Sequence, residues 1–128
     1  MFTLSKIQEA HKKVKTGADF PAYAREIHAL GVTHYDVFVA DGHAVYLGNP
    51  EPIIAPAKYD TLIVAKSVNS EKFITELRLH QSGGTDYMTF CRDCAECGVE
   101  KWTLNLIDQT CTYYDRDGKQ ILVERFGE

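Results

Sequence analysis

Residues 17–48 read GADFPAYAREIHALGVTHYDVFVADGHAVYLG and residues 84–115 read GTDYMTFCRDCAECGVEKWTLNLIDQTCTYYD; slid along by 67 positions, the first stretch falls on the second without a gap. Gly17 meets Gly84, Asp19 meets Asp86, Arg25 meets Arg92, Gly31-Val32 meets Gly98-Val99, Asp41 meets Asp108 and Tyr46 meets Tyr113. Between these anchors residues pair within class, as Phe20 does with Tyr87, Tyr35 with Trp102 and Val37 with Leu104. Each copy is therefore a control for the other. A residue that matches in type is expected to hold the fold, and one that differs is a candidate for function.

Both copies predict the same order of elements. Asp19 and Asp86 stand as N-caps before apolar stripes at helical spacing: Phe20, Tyr23, Ala24, Ile27 and Leu30 in one, Tyr87, Phe90, Cys91, Cys94 and Cys97 in the other. Gly31-Val32 and Gly98-Val99 supply the glycine followed by an apolar residue that ends a helix. Residues 33–40 and 43–48 alternate at period two around Asp41-Gly42, a strong hairpin signal. Residues 101–107 and 110–115 form the counterpart, where Gln109 is a poorer turn residue than Gly42, so the second turn is expected to differ in type. A further helix precedes each copy. Ser5-Lys6-Ile7-Gln8 reads as a capping box for a stripe of Leu4, Ile7, His11 and Val14 that ends at Thr16-Gly17; Asn69 or Ser70 caps a helix carrying Phe73, Ile74 and Leu77 up to Gly83-Gly84.

The connector, residues 49–66, contains Pro50, Pro52 and Pro56, which exclude a central strand and allow at most an edge; residues 61–65 are expected to add one short strand. Asp115-Arg116-Asp117-Gly118-Lys119 reads as a type I turn with a glycine bulge that leads into a last strand over 119–126. Alternation places Trp102, Leu104, Leu106, Cys111, Tyr113, Ile121 and Val123 on the core face, and Lys101, Thr103, Asn105, Thr110, Thr112, Gln120 and Glu124 on a face open to solvent. The expected fold is α+β, a single domain over residues 1–128. Two helix-helix-hairpin copies (3–48 and 69–115) form an antiparallel sheet covered by helices on one face, with an extra C-terminal strand and a pseudo-twofold relation between halves.

A chain of 128 residues with 45% hydrophobic and 25% charged residues is an ordinary globular domain. A formal net charge of −4 argues against a nucleic-acid partner, because phosphate neutralisation needs a basic face. The one basic cluster, His11-Lys12-Lys13-Val14-Lys15, sits where cations complement a helix C-terminus. No apolar stretch approaches the roughly 20 residues that span a bilayer, and no signal-peptide core follows the first residues, so a membrane role is not expected and the expected location is the cytoplasm. In that compartment four cysteines read as thiols before disulfides.

Cys91-Arg92-Asp93-Cys94-Ala95-Glu96-Cys97-Gly98 ends in the zinc-knuckle spacing, and Cys111 could complete four ligands. The offset speaks against a metal: Cys91, Cys94, Cys97 and Cys111 fall on Ala24, Ile27, Leu30 and Ala44, all small or apolar. On a regular helix Cys91 and Cys97 also lie roughly 9 Å apart along the axis, too far for one tetrahedral ion. Core packing is the expectation, no cofactor is expected, and a thiol or metal protein is the alternative.

His34 and Asp36 share a strand face with His43, Val45 and Leu47, but His-x-Asp is a non-specific spacing and no nucleophile is visibly paired to it, so no catalytic residue is assigned. What distinguishes this face is Phe38, Val45 and Leu47, apolar where the second copy is polar. Either the connector folds back over them, or a second copy of the chain or a ligand covers them. His34, Asp36, Phe38, His43, Val45 and Leu47 are accordingly the candidate interaction surface. Neither a Gly-rich phosphate loop nor a His-Glu-x-x-His pattern occurs.

With Gly17-Ala18-Asp19-Phe20-Pro21-Ala22-Tyr23, Leu30-Gly31-Val32-Thr33-His34-Tyr35, Asp41-Gly42-His43, Gly98-Val99-Glu100-Lys101-Trp102 and Cys111-Thr112-Tyr113-Tyr114-Asp115, the chain resembles the YbcV-like family. These are small bacterial proteins classed as a domain of unknown function and sometimes labelled phage envelope protein. The resemblance implies a compact α+β bacterial protein with no catalytic residues to carry over. Three functions are expected in order: a non-enzymatic binding or regulatory module, with a homodimer as candidate partner; a thiol or zinc protein using the cysteines; and a small enzyme with a cleft between the halves.

Overall fold

The computed structural model of the chain describes residues 2–15 and 17–126. Four helices, α1 (Leu4–His11), α2 (Phe20–Leu30), α3 (Ser70–Gln81) and α4 (Tyr87–Glu96), accompany one antiparallel sheet. Its strands are β1 (His34–Phe38), β2 (Ala44–Leu47), β3 (Ile53–Ala55), β4 (Lys101–Asn105), β5 (Thr110–Tyr114) and β6 (Gln120–Arg125), in the order β3-β2-β1-β4-β5-β6. The fold is α+β, as its sequence predicts.

Local chemistry explains most boundaries. Asn69 and Asp86 accept the backbone N–H of Lys72 and Thr89 and so open α3 and α4. α1 is opened by Thr3, which accepts the Lys6 N–H, and not by Ser5; it stops at His11, short of the expected end, and Thr16 lies outside the described residues. Asp19 stands at the N-cap of α2, with its carboxylate turned back to the Lys15 N–H. Gly31 and Gly98 are left-handed, and Val32 and Val99 donate back to the carbonyls of Ile27 and Cys94.

Register repeats at the 67-residue spacing. His34 pairs with Leu47 and Val37 with Ala44, just as Lys101 pairs with Tyr114 and Leu104 with Cys111. Both hairpins turn through four residues, 39–42 and 106–109, and not through the two-residue Asp-Gly turn that alternation suggested. Despite the difference between glycine and glutamine, Gly42 at φ 76° and Gln109 at φ 58° both take the left-handed conformation at the fourth turn position. The Asp-Gly pair misleads because Val39 and Leu106, the first turn residues, are fully buried. Their N–H groups reach across the centre of the sheet, Val39 to the Glu100 carbonyl and Leu106 to the Thr33 carbonyl, both at 2.9 Å.

Two expectations at the sheet edges fail. Residues 61–65 form no strand; they cross the end of the first hairpin, tied by Leu62 N–H to the Ala40 carbonyl and Ala65 N–H to the Ala95 carbonyl. A bulge beside Tyr114 shifts β6, so Leu122 and Glu124 lie opposite Tyr113 and Cys111 on the core face and Val123 faces out, 49% exposed. An odd-residue slip exchanges the two faces of a strand, which is why Glu124 points inward against expectation. Inward residues of all the strands except the edges, Tyr35, Val37, Ala44, Tyr46, Trp102, Leu104, Cys111 and Tyr113, share one core with Ile7, Tyr23, Ile27, Phe73, Leu77 and Phe90 from the helices.

Candidate functional site

The open sheet face holds the predicted surface, but as separate local pairs. His34 Nδ1 lies 3.0 Å from the Thr33 hydroxyl, and Asp36 accepts the Thr103 hydroxyl at 2.6 Å. The His43 ring stacks on Phe38 with centroids 4.3 Å apart, and its Nδ1 lies 2.6 Å from the Asp41 carboxylate. The backbone N–H and ring nitrogen of His43 together hold the Asp41 carboxyl below its usual range. The histidine with a carboxylate partner is thus His43, not His34, and no nucleophile joins it. The connector does not fold back over this face. It adds β3 to the sheet edge and lengthens the apolar stripe, leaving Leu47 38% and Ile54 62% exposed beside half-buried Phe38 and Val45.

All four cysteines are buried free thiols, and burial raises the pKa of each, that of Cys111 to about 12. Among the described residues no group of three or more His, Cys, Asp or Glu side chains is placed to hold a metal ion.

The larger feature lies on the other side of the sheet. A cavity of about 220 Å³ opens between the inward face of the central strands and the helices of both halves. Tyr35, Tyr46, Trp102 and Tyr113 form its floor, and Tyr23, Tyr87 and Phe90 its helical wall. Burial raises the pKa of all five of these phenols, so they remain protonated donors. Exposed Lys15, Lys58 and Gln81 mark where it meets solvent.

Polar groups converge on this aromatic chamber from four elements. His80 stacks on Phe90 at 4.4 Å and its Nδ1 lies 3.1 Å from the Thr85 carbonyl; the neutral ring therefore carries its proton on Nδ1 and leaves Nε2 as an acceptor. His11 meets Tyr23 edge-on at 5.4 Å. Desolvation lowers the pKa of both histidines, and the Lys58 charge lowers that of His11 further. The Lys58 ammonium lies 5.9 Å above the Tyr87 ring, within cation–π reach. Glu124, turned in by the bulge, is held by Arg78 and by the Gln81 amide at 3.0 Å.

A family model described as a protein of unknown function, DUF1398, matches residues 8–125. The chain belongs to the DUF1398 family. No curated protein matches it. The matched span contains α2 to α4, the whole sheet and every cavity residue named above, so the chamber is a feature of the DUF1398 domain itself in this chain.

Sequence reasoning about this DUF1398 chain missed the cavity and placed Glu124 on the wrong face. One signal was available. His11 closes the stripe Leu4-Ile7-His11 on α1, and His80 closes Phe73-Leu77-His80 on α3, so each helix carries an ionisable ring on its core-facing side. A histidine in such a place is more often a satisfied core residue, but two of them facing seven clustered aromatic residues call for a polar space between helices and sheet.

Proposed function

We propose that this protein is a binding module for a small, largely apolar ligand held in the cavity between the central strands and the helices. The observation that carries this is the chamber's combination of aromatic walls with a few convergent polar groups, which is the usual make-up of a small-molecule site. Its volume exceeds the ~150 Å³ of a cavity that accepts benzene, so a ring with a short substituent fits. The location between the halves follows from a pseudo-twofold relation, for which the matching registers 67 residues apart are the support. The hydroxyl beside His80 is that of Thr85, 3.2 Å from the same Nδ1 that faces the Thr85 carbonyl, a local pairing that favours binding over catalysis. A cytoplasmic bacterial protein of the YbcV-like type remains our reading of the sequence, and it agrees with the absence, among the described residues, of any helix long and apolar enough to cross a membrane.

Trp102 is the only tryptophan, 8% exposed, and lies in the cavity floor. Non-indole phenyl compounds should shift its fluorescence saturably, and Val37→Phe, which narrows the floor, should weaken the response while leaving the far-UV dichroism unchanged. A set of such compounds that leaves Trp102 unmoved would overturn this function.

A second use is favoured by the stripe of Phe38, Val45, Leu47 and Ile54: an apolar sheet face joining a second copy. Light scattering that gives a monomer at all accessible concentrations removes it.

A further inference from the structure

The charges around the chamber are one-sided. His11 and Lys58 are near enough for the lysine to disfavour protonation of the imidazole, although the chain as a whole carries a net charge of −4. The described residues form four ion pairs, and neither His11 nor Lys58 belongs to any of them. Glu124 is the only carboxylate in the lining, and it is already engaged by Arg78 and Gln81. Lys58 is held in place from its own segment. Its N–H donates to the Asp41 carbonyl at 2.8 Å, and the next residue, Tyr59, donates its hydroxyl to the Val39 carbonyl at 2.6 Å. The connector thus carries an ammonium over the Tyr87 ring at the mouth of an aromatic chamber and gives it a π face in place of a counter-ion.

We propose that the ligand of this cavity is an aromatic or compact aliphatic anion, its apolar body against Trp102 and Tyr35 and its carboxylate or phosphate between Lys58 and His11. This rests on the cavity being the binding site and adds the chemical class of what it binds. An anion there supplies the counter-charge that the Lys58 ammonium lacks, with the His11 imidazole as a neutral hydrogen-bond donor, and a charge-assisted hydrogen bond in a partly desolvated mouth is stronger than a neutral one. Lys15, on the same rim, adds to the field that draws an anion in.

The test is a Trp102 fluorescence titration with four compounds of one shape: phenylacetate, phenyl phosphate, phenylacetamide and phenethylammonium. Phenylacetate or phenyl phosphate is expected to bind about tenfold more tightly than the amide, with the ammonium compound weakest. The tighter of the two anions identifies the head group. Lys58→Met, which keeps the stem, should reduce the preference for anion over amide to about twofold or less, whereas Lys119→Met in the distant β5–β6 turn should leave it intact. Equal binding of anion and amide to the wild type, or a preference that survives Lys58→Met, overturns the anion assignment and leaves the cavity as a site. No response to any of the four sinks the cavity reading and this inference together.

Discussion

Thr103 donates its hydroxyl to the carboxylate of Asp36 at 2.6 Å, and the two residues are both opposite each other in the β1–β4 pair and 67 positions apart in the chain. They therefore stand one 67-residue offset apart and meet at the centre of the sheet. Row by row, Ile54, Val45 and Asp36 on one side answer Val123, Thr112 and Thr103 on the other. Replacing Thr103 by Val keeps the shape and removes the donor from a half-buried carboxylate. A loss of about 1 kcal/mol in urea unfolding is expected, since water can reach part of the freed oxygen. Asp36→Thr, which builds a Thr–Thr pair instead, should cost less than Thr103→Val.

The matched hairpin turns give a paired prediction. Gln109 occupies a left-handed site that an L side chain adopts at a cost, so Gln109→Gly should stabilise the protein by about 0.5–1 kcal/mol after the larger chain entropy of glycine is subtracted. Gly42→Ala should do the opposite and more strongly. Its φ is 76°, and a Cβ there would stand 2.6 Å from the Tyr59 ring, so a loss of about 2 kcal/mol is expected in thermal or urea unfolding.

Acid should weaken the fold in two stages. Desolvation depresses His80 and His11 below 6.5, so on acidification the unfolded chain takes up these protons first. Their contribution is complete above about pH 6.5 and declines below it until the native rings also protonate. Asp41 and Asp86 are depressed below 3.8 by hydrogen bonds from His43 and Thr89, and their contribution is lost only as pH falls through those lower values. Urea midpoints should therefore drop between about pH 6.5 and 5, and a His11→Gln, His80→Gln double variant should flatten that limb alone.

The thiols should be slow. Cys91, Cys94 and Cys97 are fully enclosed and Cys111 is 8% exposed, with every thiolate disfavoured by burial. A thiol reagent at mildly alkaline pH should label them at the rate of unfolding, and protein purified without chelator should carry no stoichiometric zinc or iron. Fast labelling of two or more cysteines would revive the thiol or metal alternative.

The hairpins, the second caps and the left-handed helix ends were legible because each depends on residues close in sequence: Asp86 with Thr89, Gly31 with Val32, Tyr35 alternating with Val37. Alignment at the 67-residue offset also made the cysteines legible as core, since Cys94 falls on Ile27. What escaped was decided elsewhere in the chain. The inward turn of Glu124 depends on one bulge at the β5–β6 register, and no residue in β6 announces it. The chamber depends on contacts between helices and sheet that are distant in sequence, such as Phe73 on Tyr113 and Phe90 on Trp102. Lys58 carries no signal of its own in the sequence, because where its segment runs is fixed by the Tyr59 hydroxyl on the Val39 carbonyl and by the Asp41 carbonyl.

Within the sheet, β1–β4 is the one pairing that does not join successive strands. Each half can zip up its own three-stranded meander by closing short loops, on the microsecond scale of hairpin formation. Joining the meanders instead closes a loop across the 67-position separation of Asp36 and Thr103, an ordering cost of about 4 kcal/mol in loop entropy that no earlier contact has met. That seam is expected to be the rate-limiting event of folding, and the aromatic chamber comes into being only after it closes.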